Sequence, residues 1–227
     1  RQEYRDVFID VADDQNLHGW WIDSEGKSKG VVYFLHGNGG NISTNLGQVT
    51  WMAKAGFDVF MLDYRGYGFS TGQPSVEGLV RDVQSGWIWL HSQVNAERPK
   101  YIFGQSLGAS IVGYAVATLT DNYGPSAVVL DSGFTAYSVI AKEVAASSAL
   151  TWMFQLPVSW GMPDGYDLID SIPSLARYPL LIMHSSDDTL VPFSHAEALS
   201  AASAGRATVY PYRGYHVSAL QLSLIHI

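Results

Sequence analysis

The sequence contains no cysteine, and that absence removes several kinds of chemistry. A chain without thiols forms no disulfide, offers no cysteine nucleophile and binds no metal through thiolate. No apolar run reaches the ~20 residues needed to span a bilayer. Positive charge is scarce too, because 13 Lys and Arg face 21 Asp and Glu for a net charge of −8. We therefore expect no nucleic-acid partner, since phosphate binding needs a basic surface.

Charged residues make up only 15% of the 227 residues, whereas 47% are hydrophobic. That balance predicts one domain with a large core, over residues 1–221. The last six residues, "LSLIHI" (222–227), match the translated end of a common sequencing adapter, and we expect them to be a non-native tail. Because the chain opens at Arg1, we expect a preceding segment, through which alone any membrane association would arise. The sequence does not decide between the cytoplasm and a membrane or periplasmic location. It does not indicate the oligomeric state either.

Eight apolar runs bounded by turn residues predict eight strands. The runs are 6–11, 17–23, 30–37, 57–64, 100–106, 126–132, 179–185 and 207–212. The first two predict an antiparallel start, most of the others are apolar enough for a parallel sheet buried on both faces, and the last predicts an edge strand. Helical patterns at 75–90, 106–119 and 194–205 lie between them. This alternation predicts an α/β fold with helices on both faces of a mostly parallel sheet.

Residues 134–178 separate two predicted strands with more chain than one crossover needs. The stretch predicts one helix and then an irregular aromatic segment that contains Trp152 and Phe154. Insertions of this kind are often lids over a site, which makes those two side chains candidates for substrate binding. Additional packing helices without a gating role would explain the same pattern, and both interpretations stay open.

The stretch "FGQSLGAS" (103–110) places a serine between two glycines, after a predicted strand and before a predicted helix. A sharp strand-to-helix turn would hold the Ser106 hydroxyl at the carboxyl edge of the sheet. Gly104 and Gly108 would let strand and helix pass closely, and the serine would adopt a strained backbone. A serine that merely caps a helix would not require both glycines. We therefore predict that Ser106 is a nucleophile.

A serine nucleophile requires a base, and the base requires a carboxylate. His216 follows the last predicted strand, in a loop that could reach over the sheet edge, and it is the candidate base. Asp187 and Asp188 follow the strand at 179–185 and are both candidates for the acid, with Asp131 as a weaker alternative. No histidine spacing indicates a metal site, and we expect no cofactor.

The loop "HGNGGN" (36–41) follows a predicted buried strand and precedes a helix. Its glycines allow backbone amides to face an oxyanion. The second donor would be the N–H of Leu107, which directly follows Ser106 at the start of a predicted helix. A glycine-rich loop before a helix could instead bind phosphate. The loop lacks the lysine of a P-loop and the spacing of a dinucleotide site, which favours the oxyanion role.

Together, "FLHGNGGN", "DYRGYGFSTG", "GQSLG", "HSSDDTLVP" and a late "GYH" resemble the α/β-hydrolase superfamily, in particular its serine esterases with an HGNxGN loop. The resemblance covers nearly the whole chain. It implies Ser106 as nucleophile, Asp188 as acid, His216 as base and Asn38 as the oxyanion-loop residue. The chain departs from the family's usual pattern at Ser185, where glycine is usual, and at Tyr215, where a small residue is common.

The predicted function is hydrolysis of a carboxylic ester or thioester through an acyl-enzyme, with a small-molecule acyl ester as substrate. Two alternatives stay open, namely a serine peptidase or amidase and a catalytically silent binding module on the same fold. Peptidases of this type usually carry a large extra domain, and a silent module would lack a member of the triad.

Overall fold

The computed structural model describes residues 4–12, 14–146 and 164–222. Its strands form one eight-stranded sheet in the order β1-β2-β4-β3-β5-β6-β7-β8. The strands are β1 (Tyr4–Val11), β2 (Gln15–Ile22), β3 (Val31–Leu35), β4 (Asp58–Leu62), β5 (Lys100–Gln105), β6 (Ala127–Asp131), β7 (Leu180–Ser185) and β8 (Ala207–Tyr212). Strands β1 and β2 are antiparallel to each other, and β2 is antiparallel to β4. All pairs from β4 through β8 are parallel.

Helices cover both faces of the sheet. They are α1 (Ile42–Lys54), α2 (Val76–Gln93), α3 (Leu107–Ala117), a 3₁₀ turn (Asp121–Tyr123), α4 (Tyr137–Ala146), α5 (Leu168–Leu175), α6 (Ser194–Ala202) and α7 (Ala219–Leu222). Caps at two helix starts follow from the sequence, because the Asn41 side chain accepts from the N–H groups of the first turn of α1 and Ser75 accepts from Gly78 in α2. Such caps satisfy donors that have no partner within the helix.

Alternation along the central strands divides the core into two clusters. In β3, Tyr33 and Leu35 face the cluster shared with α2, α3, α5 and α6, whereas Val32 and Phe34 face the cluster under α1 and α7. Successive side chains of a strand point to opposite faces, so a run that is apolar throughout can serve both clusters. This burial explains why the central strands read as continuous apolar stretches.

The predicted fold class is confirmed, including the antiparallel start and the position of β8 at the sheet edge. Within the predicted insertion 134–178, the described residues contain α4 and also α5, a helix that the sequence pattern did not separate from the aromatic segment. The two ends of the insertion are joined, because Ile169 N donates to Thr135 O at 3.0 Å and Tyr137 N donates to Asp167 Oδ1 at 3.1 Å.

The strand order reverses between β3 and β5. Strand β4 lies on one side of β3 and β5 on the other, so the connections through α1 and α2 run in opposite directions. A crevice therefore opens at the carboxyl ends of β3 and β5, which is where open α/β sheets bind their ligands. The loop at 36–41 and Ser106 both start at this crevice.

Candidate active site

Ser106 lies at a strained turn between β5 and α3. Its backbone has φ 53° and ψ −114°, a region that residues other than glycine rarely occupy. Close packing explains the flanking glycines: a Cβ on Gly104 would lie 2.7 Å from Ala109 backbone atoms, and one on Gly108 would lie 2.4 Å from the Leu35 carbonyl oxygen. The two glycines thus let α3 pack against the backbones of β5 and β3, and the turn between β5 and α3 holds the serine side chain at the sheet edge.

The His216 imidazole lies between Ser106 and Asp188. Its Nε2 is 2.9 Å from Ser106 Oγ, and its Nδ1 is 2.6 Å from Asp188 Oδ2. An ionised carboxylate only accepts hydrogen bonds, so Nδ1 carries the proton and Nε2 is free to accept the serine hydroxyl proton. The imidazole is 18% exposed, which leaves it open to the site.

Asp188 is held in one orientation by the turn that follows β7. Its Oδ1 accepts from the N–H groups of Leu190 and Val191, both at 2.9 Å, while Oδ2 faces the imidazole. Burial acts to raise the pKa of this carboxyl, but the hydrogen bonds from His216, Val191 and Leu190 and the charge of His216 outweigh it and hold the pKa below its usual value. The group is therefore an anion at neutral pH. Asp187 is exposed.

The loop after β3 packs directly on Ser106. A Cβ placed on Gly37 would lie 3.3 Å from Ser106 Cβ. Two contacts anchor the loop: the Tyr64 hydroxyl donates to His36 O at 2.8 Å, and Ile42 N, at the start of α1, donates to Asp63 Oδ1 at 2.9 Å. The Leu107 N–H is the first of α3 and has no acceptor within its helix. Asn38, Leu107 and Ser106 line one cavity, as an oxyanion site would require.

Tyr67 holds the Asn38 side chain. Its hydroxyl donates to Asn38 Oδ1 at 2.5 Å, and burial raises the pKa of this half-buried phenol, so that it stays a donor. The residue belongs to the "DYRGYG" stretch, where the sequence alone indicates no role for it.

Ser185 has a structural role that the sequence does not reveal, because in the sequence it is only a departure from the family pattern. Its hydroxyl, however, donates to Gly214 O at 2.5 Å and accepts from Asp187 N at 3.1 Å.

The cavity beside Ser106 has a volume of about 490 Å³ and is mostly apolar. Its lining comes from the loop at 36–41, the segment before α2, α2, α3, α4 and the turn after β7. The apolar and aromatic members among the described residues are Tyr67, Pro74, Val76, Leu79, Leu107, Ile111, Phe134, Tyr137, Ile140, Val144, Leu190 and Val191. Part of the predicted insertion, α4, therefore forms a wall of this cavity. Trp152 and Phe154, the predicted substrate-binding residues, lie outside the described residues.

A second cavity of about 1010 Å³ lies on the face of the sheet that carries α1 and α7, and none of the candidate site residues lines it. Ser106 lines the smaller cavity and not this one. In the ranges that the structure covers, no group of three or more His, Asp or Glu side chains could hold a metal ion. No helix in those ranges combines the length and hydropathy of a membrane span.

The sequence matches one protein family and resembles several known proteins. Residues 26–161 match the family described as "Serine aminopeptidase, S33". The chain is 33% identical over 213 residues to the uncharacterized protein YfhR of Salmonella typhi, an alignment that covers 88% of this chain and 69% of YfhR. It is 32% identical over 186 residues to the lysophosphatidylserine lipase ABHD12 of Macaca fascicularis, covering 77% of this chain and 45% of that protein.

Among solved structures, the Pyrococcus furiosus esterase Pf2001 superposes on the chain with a TM-score of 0.78. The match covers 99% of this chain and 88% of the esterase at 22% sequence identity. At that identity the likeness establishes a shared fold. The chain spans about two thirds of the length of YfhR.

Proposed function

The chain belongs to the serine aminopeptidase S33 family of α/β-hydrolases, and from that premise we propose that it is a serine hydrolase of carboxylic esters or thioesters. The observation that carries the proposal is the hydrogen-bonded series Asp188–His216–Ser106, which opens into an apolar cavity. A nucleophile, an oriented base and an anion beside the base are the three parts that acyl transfer requires.

In the proposed reaction, Ser106 Oγ attacks the acyl carbonyl carbon while His216 Nε2 takes the hydroxyl proton. The negative oxygen that forms is stabilised by the N–H groups of Asn38 and Leu107. His216 then gives its proton to the leaving alcohol or thiol, and an acyl ester remains on Ser106. Water attacks that ester with His216 again as base, and the acid and free serine result. Asp188 stabilises the imidazolium at each step.

The described lining of the cavity favours an ester over a peptide with a free amino terminus. An aminopeptidase must pair the α-ammonium group of its substrate, and a buried cation without a partner is costly. Among the residues that the structure describes at this cavity, none is an aspartate or glutamate. An apolar acyl chain requires no such partner. The relative ABHD12 is a lysophosphatidylserine lipase and the structural neighbour Pf2001 is an esterase, which supports this choice.

The test combines labelling with turnover. A fluorophosphonate probe should label the wild type and Ser92→Ala, an exposed serine on α2 that serves as the control, and should not label Ser106→Ala. The same three proteins are assayed on p-nitrophenyl esters of increasing chain length and on aminoacyl p-nitroanilides. Turnover of esters alone supports the proposal. Preference for the anilides would make the chain a peptidase, and absence of both activities and of labelling would leave the binding module.

A further inference from the structure

Asp131 is a second carboxyl group buried beside the candidate site, and the proposed reaction does not use it. It ends β6 and is fully buried. Its Oδ2 accepts from Gln105 Nε2 at 3.0 Å, and its Oδ1 accepts from the Tyr212 hydroxyl at 3.0 Å and from Ser132 Oγ at 3.3 Å. The carboxyl group is thus the centre of a small polar network in the core.

The network connects the two chain segments that carry Ser106 and His216, whose side chains must stay within hydrogen-bond distance of each other. Gln105 directly precedes Ser106, and Ser106 N donates to the main-chain oxygen of Asp131 at 2.8 Å. Tyr212 ends β8, just before the loop that carries His216. Gln105 Nε2 also lies 3.5 Å from the carbonyl oxygen of Val217, which directly follows that histidine. Asp131 therefore bonds directly to the turn at Ser106 and to Tyr212 on one side of the histidine loop, and it reaches the other side of that loop through Gln105.

The surroundings show that this arrangement is costly to the fold. Burial raises the pKa of Asp131 to about 6, although the hydrogen bonds from Gln105, Tyr212 and Ser132 and the charge of His216 act against the rise. Ser132 and Val217 adopt positive φ values of 53° and 52°, and a β-branched residue in that region is strained. Strain and a buried, strongly perturbed carboxyl group together indicate a functional requirement.

We propose that Asp131 is a positioning residue, whose carboxylate ties the Ser106 turn to the His216 loop and so holds the imidazole within reach of the serine hydroxyl. The inference rests on the proposed function, because it assigns work to Asp131 only if Ser106 and His216 react as a pair. It does not make Asp131 the acid of the triad, since the imidazole Nδ1 is bound to Asp188.

The decisive variant is Asp131→Asn, which preserves shape and removes the charge. The measured quantity is the second-order rate constant for fluorophosphonate labelling of Ser106, which does not depend on the ester chosen. A displacement of reacting groups by about 1 Å lowers rates on the order of a hundredfold, so we expect labelling at pH 8 to slow by about that factor. Asp58→Asn is the matched control, a buried carboxylate at the opposite end of the sheet, bound to Ser24 N and Arg98.

The pH dependence separates positioning by the carboxylate from a general loss of structure. The groups that face Asp131 are Gln105, Tyr212 and Ser132, and the charge of a protonated His216 would also favour the ionised form of Asp131. Protonation of wild-type Asp131 below pH 6 makes it neutral like asparagine. We therefore expect the ratio of wild-type to Asp131→Asn labelling rates to be largest near pH 8 and to shrink as the pH falls through about 6.

Three results would overturn the inference. In the first, the wild type is labelled at Ser106 and Asp131→Asn is labelled equally fast with the same pH profile. That result would contradict the role of Asp131 and leave the proposed function intact. A rate ratio that does not change with pH would show a structural role only. A wild type that is not labelled would end the proposed function and this inference with it.

A second variant keeps the test decisive if Asp131→Asn does not fold. Tyr212→Phe removes one donor to the carboxylate and keeps the ring, so it should fold and react about tenfold more slowly, because a hydrogen bond to a charged group is lost. Labelling by Tyr212→Phe at the wild-type rate would in that case contradict the inference.

Discussion

The Ser185 hydroxyl lies 2.5 Å from the main-chain oxygen of Gly214 and donates to it across the end of the sheet. Ser185 ends β7, three residues before Asp188, whereas Gly214 lies two residues before His216. The same hydroxyl accepts from Asp187 N at 3.1 Å. One buried side chain thus connects the loop of the proposed acid to the loop of the proposed base, at a position where the family resemblance leads us to expect glycine.

Replacing Ser185 with glycine should loosen that connection. The change leaves the partly buried Gly214 carbonyl and the partly buried Asp187 N–H without their partner, a loss of about 1–3 kcal/mol in the free energy of unfolding. We expect a lower melting temperature together with a lower kcat, while KM stays similar. Ser186→Ala is the control, because Ser186 is exposed and adjacent. If Ser185→Gly has the melting temperature and kcat of the wild type, the hydroxyl contributes neither to stability nor to the placement of the two loops.

The two neighbouring aspartates offer a direct test of the acid. Asp188→Asn should lower kcat about 10⁴-fold, since an amide at that position no longer holds the histidine in the tautomer that accepts the serine proton. Asp187→Asn should have a far smaller effect, because its side chain is exposed. The measurement is kcat on a p-nitrophenyl ester for both variants side by side. The opposite ranking would place the acid at Asp187.

Asp131→Asn should be slower but more stable than the wild type at neutral and higher pH. A carboxyl whose pKa rises from 3.8 in the unfolded chain to about 6 in the fold favours the folded state only when protonated. That contribution is complete below pH 3.8 and is lost as the pH rises through about 6. The corresponding cost at pH 8 is at most about 3 kcal/mol.

Urea unfolding of Asp131→Asn and the wild type between pH 4 and 8 measures this cost. The variant should have the larger free energy of unfolding at pH 8, and the difference should diminish towards pH 4. A variant that is less stable than the wild type at pH 8 would show that the carboxylate stabilises the fold. Asp58→Asn again serves as the comparison, because it removes a buried carboxylate that is paired with Arg98.

The apolar cavity predicts a preference for longer acyl chains. Each buried CH₂ contributes about 0.8 kcal/mol, so kcat/KM should rise about fourfold per carbon until the cavity is full. Ile140→Ala removes part of the α4 wall and should flatten that rise while acetate is hydrolysed normally. Val139→Ala, the exposed neighbour on α4 outside the cavity, should leave the profile unchanged. An unchanged profile in Ile140→Ala would place the acyl chain elsewhere.

Trp152 and Phe154 stay predictions, since both lie outside the described residues. If the segment that carries them is a lid, Trp152→Ala and Phe154→Ala should lower kcat/KM for medium-chain esters and leave acetate nearly unaffected. If the segment only packs, both variants should lose thermal stability and all esters should be affected alike. The chain-length profile measured beside the melting temperature distinguishes these cases, and an unchanged profile with a lower melting temperature would contradict the lid.

The strands, their parallel arrangement and the turn at Ser106 could be read from the sequence, because each leaves a local pattern. A strand buried on both faces is apolar throughout, and close packing of β5 on α3 requires glycine at fixed positions beside the serine. The start of α2 could be predicted in the same way, because its cap, Ser75, directly precedes the helix in the sequence. The helix α5 was missed, because it follows directly on an aromatic stretch whose pattern hides its start.

What the tertiary structure decided were the contacts between residues far apart in the chain. From the residues alone Asp187 and Asp188 were equivalent, and only the family resemblance preferred Asp188; the fold brings Asp188 to 2.6 Å from His216 and leaves Asp187 exposed. Likewise, Asp131 was a possible acid by position, but it bonds Gln105 and Tyr212 instead. Local sequence determines which residues end a strand, whereas the register and twist of neighbouring strands determine which of those ends meet.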